Sequence, residues 1–130
     1  MKFKINGIDW KIEEKSQEEI KTIINTKKAE SVENVKSLDS RFFGVTFPDD
    51  LVIYLDKDLP EQRKRLTLLH ELTHCYIVTF MTHCDKQYSE EDVCDIVSNS
   101  HDIVKNIVAK YFRKEERKWL DPKNILKKNY

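Results

Sequence analysis

The first twelve residues alternate apolar and polar side chains around one turn: Phe3 and Ile5, then Asn6-Gly7, then Ile8, Trp10 and Ile12. Period-two alternation marks a strand with one buried face, and Asn-Gly is the pair a type I′ turn demands, so the segment predicts a β-hairpin. A two-residue loop sets Ile5 opposite Ile8 and Phe3 opposite Trp10, with all the apolar residues on one face. The period then changes. Ser16 and Glu19 form a capping-box pair, and Ile20, Ile23 and Ile24 recur at helical spacing, predicting a helix to about Lys28. Residues 29–40 are polar, with only Val32, Val35 and Leu38 at helical intervals, and read as a weak helix or loop. Phe42, Phe43, Val45 and Phe47 predict a strand, Pro48-Asp49-Asp50 a turn, and Leu51 to Leu55 a second, almost wholly apolar strand.

Asp58 and Glu61 bracket Leu59-Pro60 as a second capping box, so a long helix is expected from about residue 59 to about residue 82. Leu66, Leu68, Leu69, Leu72, Tyr76, Ile77, Val78, Phe80 and Met81 cover nearly its whole circumference, the pattern of a helix buried on most sides. After a loop containing Asp85 to Ser89, a further helix is expected near Glu90 with Val93, Ile96 and Val97 inward. Ser100 marks the cap of another, with Val104, Ile107, Val108, Tyr111 and Phe112 on its apolar side. The elements add up to an α+β fold in one domain over residues 1–130: a small antiparallel sheet packed against the central helix, with further helices at the C-terminal end.

Composition removes several classes of function. Lysine plus arginine (23) cancels aspartate plus glutamate (23), so no global field favours a nucleic-acid or membrane partner. From Lys105 onward nine basic residues face three acidic ones, but Glu115 and Glu116 interrupt the run, which reads as a solvated helix face. Two glycines and three prolines exclude collagen-like and many-turned sandwich architectures. The N-terminus has no apolar stretch before a small-residue cleavage site, so no signal peptide is expected. Cys75, Cys84 and Cys94 lack CxxC spacing, which argues against a disulfide framework or zinc ribbon and for a reducing, cytoplasmic setting. Residues 66–84 carry three histidines, four threonines and Glu71, too many polar groups for a lipid-facing span.

The chemistry lies on the central helix, in His70-Glu71-Leu72-Thr73-His74. Residues four apart share a helix face, so both imidazoles can reach one metal ion while Glu71, about 100° round from His70, stands beside them as a general base. With this chain's own histidine and glutamate content, an HExxH arises by chance in only about 1% of sequences. Zinc is the expected cofactor, held by His70, His74 and a third ligand. Taking Val93, Ile96, Val97 and Val104 as inward, Glu90 lies about 50° from that direction, Asp92 about 110° and Glu91 about 150°. Glu90 is therefore the favoured third ligand, and Glu91 the alternative, with Asp95 as a hydrogen-bonding partner to a metal histidine. His83 is half a turn out of phase with His74, and Cys75 reads as a small buried hydrophobe. Tyr76, Tyr88, His83 and His101 are unranked donors to a transition-state oxyanion.

With these residues in place, the sequence resembles the ImmA/IrrE family of zincin-like metallopeptidases, particularly compact forms from phage and integrative elements. The resemblance lies in Ile5-Asn6-Gly7-Ile8, in Val52 to Leu59 running into Arg65 to Leu69, in His70 to His74, and in Glu90 to Val97. The family's spacing of small or apolar residues three, six and seven positions after its metal glutamate is met by Glu90, Val93, Ile96 and Val97. The chain departs from the family at Cys94, where Asp or Asn is usual. The resemblance implies a minimal zincin that cleaves a protein, typically a helix-turn-helix repressor. No segment here looks like a helix-turn-helix, so recognition by protein contact is expected, with no direct nucleic-acid binding. A zinc-binding regulatory module that does not cut, and a structural domain with a vestigial site, are the competing readings.

Overall fold

A computed structural model of the chain describes residues 1–30, 41–81 and 87–119. The chain divides into two compact units, Met1–Lys86 and Gln87–Tyr130. The first is α+β: strands β1 (Lys2–Ile5) and β2 (Ile8–Lys15), helix α1 (Gln17–Glu30), strands β3 (Gly44–Phe47) and β4 (Val52–Asp56), and helix α2 (Glu61–Phe80). The second contains helix α3 (Glu90–Trp119).

The β1–β2 hairpin has the expected register, Phe3 opposite Trp10 and Ile5 opposite Ile8, around Asn6 and Gly7 at φ 50° and 78°. Phe3, Ile5, Trp10 and Ile12 are buried, whereas Ile8, next to the turn, is exposed. Ser16 and Glu19 cap α1 as expected: the Glu19 N–H donates to Ser16 Oγ, and Ser16 Oγ to Glu19 Oε1, both at 3.2 Å.

The sheet is not antiparallel throughout. Its order is β1-β2-β4-β3, and β2 pairs with β4 in parallel, Ile12 beside Ile53. The reason lies in the connection: the chain leaves β2 through α1, re-enters the sheet at its far edge as β3, running opposite to β2, and the short Pro48–Asp50 turn then reverses it into β4, which therefore lies parallel to β2. Alternation then assigns faces. Gly44, Thr46, Ile53, Leu55 and Glu14 turn toward α2, where Lys64 binds Glu14 at 2.6 Å; Tyr54 and Asp56 turn toward α1. Trp10, Ile12, Ile53, Leu55, Leu68 and Leu72 are essentially inaccessible, each worth about 1.5–3 kcal/mol of hydrophobic burial.

Helix α2 departs from expectation at its start and around its circumference. Pro60 precedes it without any side-chain cap, and the Asp58–Glu61 capping box does not form: the Asp58 N–H is taken instead by Asp56 Oδ1 at 2.9 Å. Only one face is covered, through Thr67, Leu68, Glu71, Leu72, Cys75 and Tyr76; Leu66 remains 61% exposed and Val78 47%. The sheet covers the α2 stripe that faces it, and the remaining apolar positions meet solvent. Among the described residues no helix is long and apolar enough to cross a membrane.

Helix α3 is continuous. Ser89 and Asp92 cap it reciprocally, the Ser89 N–H donating to Asp92 Oδ2 and the Asp92 N–H to Ser89 Oγ. Ser100 does not cap another helix but lies buried within this one, on a stripe of Ile96, Ser100, Val104, Ile107, Val108, Tyr111 and Phe112. The i, i+4, i+8 spacing of that stripe carries the apolar face through the serine. Val93 and Val97, expected inward, are exposed at 50% and 62%, because the buried stripe starts only at Ile96 and passes to one side of both. Of the weak helix or loop expected over residues 29–40, Ala29 and Glu30 end α1; residues 31–40, His83, Cys84, the first part of the 85–89 loop, and the C-terminal basic residues beyond Trp119 lie outside the described residues.

Asp56 fastens β4 to the segment before β3. Its side chain is fully buried, and Oδ2 accepts from Gln17 Nε2 at 2.9 Å and from Arg41 Nε and Nη2 at 3.1 and 2.8 Å. Burial pushes its pKa up, but the Asp58 N–H, the Arg41 guanidinium and the Gln17 amide outweigh that and hold it below the ordinary carboxylate value. A depressed folded pKa stabilises the protein above the unfolded value of about 3.9, and that contribution is lost as pH falls below it. Asp56→Asn should therefore lower stability by about 2–3 kcal/mol at neutral pH. Urea midpoints of the two proteins should converge as the pH drops through about 4.

Candidate active site

The HExxH segment occupies the middle of α2. His70 and His74 are exposed, their rings 4.9 Å apart at 76°, and their Nε2 atoms approach to 3.2 Å. Two nitrogens bound tetrahedrally to one zinc at about 2.0–2.1 Å stand about 3.3–3.4 Å apart, so the pair fits that ion; an N–H···N hydrogen bond has a similar length.

Glu71 is turned toward the sheet and is buried at 6% exposure. Thr46 of β3 donates its hydroxyl to Glu71 Oε2 at 2.5 Å and lies 3.4 Å from the Glu71 carbonyl oxygen. Thr46 was not anticipated from sequence. Its signal was there in the alternation of β3, which sets it opposite to Val45 and Phe47.

Gly44, two residues earlier on the same face, permits this contact. A Cβ there would lie 2.7 Å from Thr67 Cγ2 and 3.2 Å from Glu71 Cγ. Thr67 cannot easily give way, since its Oγ1 donates to the Arg63 carbonyl at 2.8 Å. Gly44→Ala should force β3 away from α2 and cost about 1–3 kcal/mol in a urea unfolding measurement. An unchanged midpoint would show that the helix yields freely.

A cleft of about 360 Å³ opens above this contact, lined by Arg41, Phe42, Phe43, Gly44, Arg63, Leu66, Thr67, His70 and Glu71. Its floor is a face of α2, because residues 63, 66, 67, 70 and 71 follow helical spacing. Its wall is the chain entering β3. Gln17 holds that wall by accepting the Phe42 N–H at 3.1 Å and donating its side-chain amide to the Phe42 carbonyl, and Arg41 is held by Asp56. The Gln17 clamp also accounts for β3 beginning at Gly44 and not at Phe42. Among the described residues β3 is an edge strand, since it pairs with β4 alone, whereas β4 lies between β2 and β3.

Cys75 is buried, its thiol pushed up to about 12 by burial and by the Glu71 charge, so it is an inert part of the core, as its position suggested. Tyr76 is buried with its ring 4.8 Å from Phe80. Glu90, Glu91, Cys94, Asp95 and His101 are exposed on α3, in the second unit; His70, Glu71 and His74 come together in the first. Among the described residues no group of three or more His, Cys, Asp and Glu side chains is gathered as a metal site. Comparison of the chain with protein-family models, with curated proteins and with solved structures finds no match in any of the three.

Proposed function

We propose that the protein is a zinc metallo-endopeptidase of minimal zincin type that acts on a regulatory protein in the cytoplasm, such as the repressor of a phage or mobile element. The observation that carries this reading is one conjunction: an HExxH pair with Nε2 atoms 3.2 Å apart, a buried glutamate beside it, and a cleft bounded by an edge strand. His70 and His74 would hold the metal, with Glu90 completing the set and Glu91 as the alternative. Zinc, when bound, supplies Lewis acidity and a water acidic enough to lose its proton near neutral pH.

The protein's own residues do the rest. Glu71 accepts the proton of the attacking water and returns it to the leaving amine, with its carboxylate oriented by the Thr46 hydroxyl. The free edge of β3 pairs with an extended stretch of substrate, which aligns the scissile bond above His70 and Glu71. A helix has its backbone groups already paired, so the segment taken must be exposed or locally unfolded.

The test joins metal analysis to cleavage. The purified protein should hold one zinc per chain and cut repressors encoded beside its gene while leaving casein largely intact. Zinc without cleavage would indicate a binding module; brisk casein digestion with untouched repressors would refute the proposed substrate. Glu90→Ala should weaken zinc binding far more than Glu91→Ala, and the reverse order would transfer the ligand role to Glu91.

A further inference from the structure

The cleft carries an unequal charge along its length. At its far end from the histidines, Arg63 lies over the ring of Phe43 at 5.2 Å, and Arg41 over the same ring at 5.5 Å. The two cations differ in their surroundings. Arg41 is neutralised by the buried carboxylate of Asp56, whereas Arg63 has no carboxylate partner among the described residues. Among the described residues Glu71 is the one acidic side chain lining the cleft, and it is buried and engaged with Thr46. The Arg63 end therefore presents an exposed guanidinium that no carboxylate among the described residues compensates, with an aromatic ring beside it and the planar fork of N–H groups suited to a two-pronged contact.

Resting on the peptidase reading above, we propose that Arg63 selects substrates with an acidic side chain about three residues from the bond to be cut. The spacing follows from the helix. Arg63 and His70 are seven residues apart on one face of α2, an axial distance of about 10.5 Å, and an extended chain advances about 3.3 Å per residue. A peptide lying along β3 with its scissile bond over His70 would bring its third neighbour to Arg63. A carboxylate there gains charge-assisted hydrogen bonds to the guanidinium, whereas a lysine meets its positive charge. Neither HExxH nor the strand edge discriminates between side chains; Arg63 adds a charge preference to a cleft that also contains Phe42, Phe43 and Leu66.

The experiment measures binding, so it reads this subsite whether or not the protein cleaves. End-blocked peptides carrying a neutral dye and a single Glu, Gln or Lys at successive positions are titrated by fluorescence anisotropy with the Glu71→Gln protein. Blocking both ends leaves the side chain as the only carboxylate. Glu peptides should bind about tenfold tighter than Gln peptides at one position, and Lys peptides weaker still. Arg63→Gln should remove the difference, and Arg63→Glu should reverse it in favour of Lys. Equal affinities at every position, or a Glu preference that survives Arg63→Glu, would overturn the proposal. A Glu preference that depends on Arg63, found together with no cleavage by the wild-type protein, would sustain the subsite and refute the peptidase reading.

Discussion

Glu71→Gln is expected to slow cleavage about 10²- to 10⁴-fold while leaving the zinc content and the fold unchanged. The substitution preserves shape. A glutamine side-chain oxygen can accept the Thr46 hydroxyl as the carboxylate does, so the buried contact between β3 and α2 survives. What is lost is a group able to take and return a proton. Glu71 is the right residue to isolate because it is buried and bonded to Thr46, whereas the two imidazoles beside it are exposed and meet each other. Stoichiometric zinc with abolished turnover would assign it the role of base. Loss of the metal from the Gln variant would instead make Glu71 a ligand, and activity near wild type would leave it a structural carboxylate.

Much of the first unit was legible in the sequence because its signals are local. The Asn6-Gly7 turn fixes its own register, and Ser16 and Glu19 fix where α1 begins. What local patterning did not carry was tertiary. The parallel pairing of β2 with β4 depends on where a crossover delivers the chain, and β4 reads as a buried run whichever way its neighbour points. The apolar circumference of α2 suggested burial on most sides, but circumference counts side chains and not the surfaces available to cover them. Leu66 and Val78 stay exposed for that reason.

The candidate site divides in the same way. His70, Glu71 and His74 are one sequence motif, and a helix is sufficient to bring the two imidazoles together. The parts that build the cleft around them lie 14 to 53 residues before His70 in sequence: Gln17 clamping Phe42, Asp56 holding Arg41, and Gly44 and Thr46 resting on Glu71. In β3 the apolar residues Val45 and Phe47 drew the strand assignment. The residues that touch the motif are the glycine and threonine between them, which hydrophobicity does not mark. The azimuth argument for Glu90 used Val93 and Val97 as inward markers, and both are exposed. The choice between Glu90 and Glu91 therefore passes to the paired alanine variants.

His74→Ala is expected to abolish stoichiometric zinc binding, the largest single effect at the site. One imidazole and one carboxylate do not make a three-ligand set, and the Nε2 approach of 3.2 Å on which the pair depends disappears with the ring. The fold should tolerate the change. His74 is exposed and its imidazole packs against His70, while the core of α2 is carried by Leu68, Leu72 and Cys75 on another face. Thermal unfolding separates the two effects. Without metal, the variant and the wild-type protein should melt together. With zinc in about 100-fold excess over its dissociation constant, the wild-type protein should gain about 2.7 kcal/mol by mass action and the variant almost nothing. If the two proteins respond equally to zinc, the ion binds elsewhere and the histidine pair is a hydrogen-bonded feature of the helix surface.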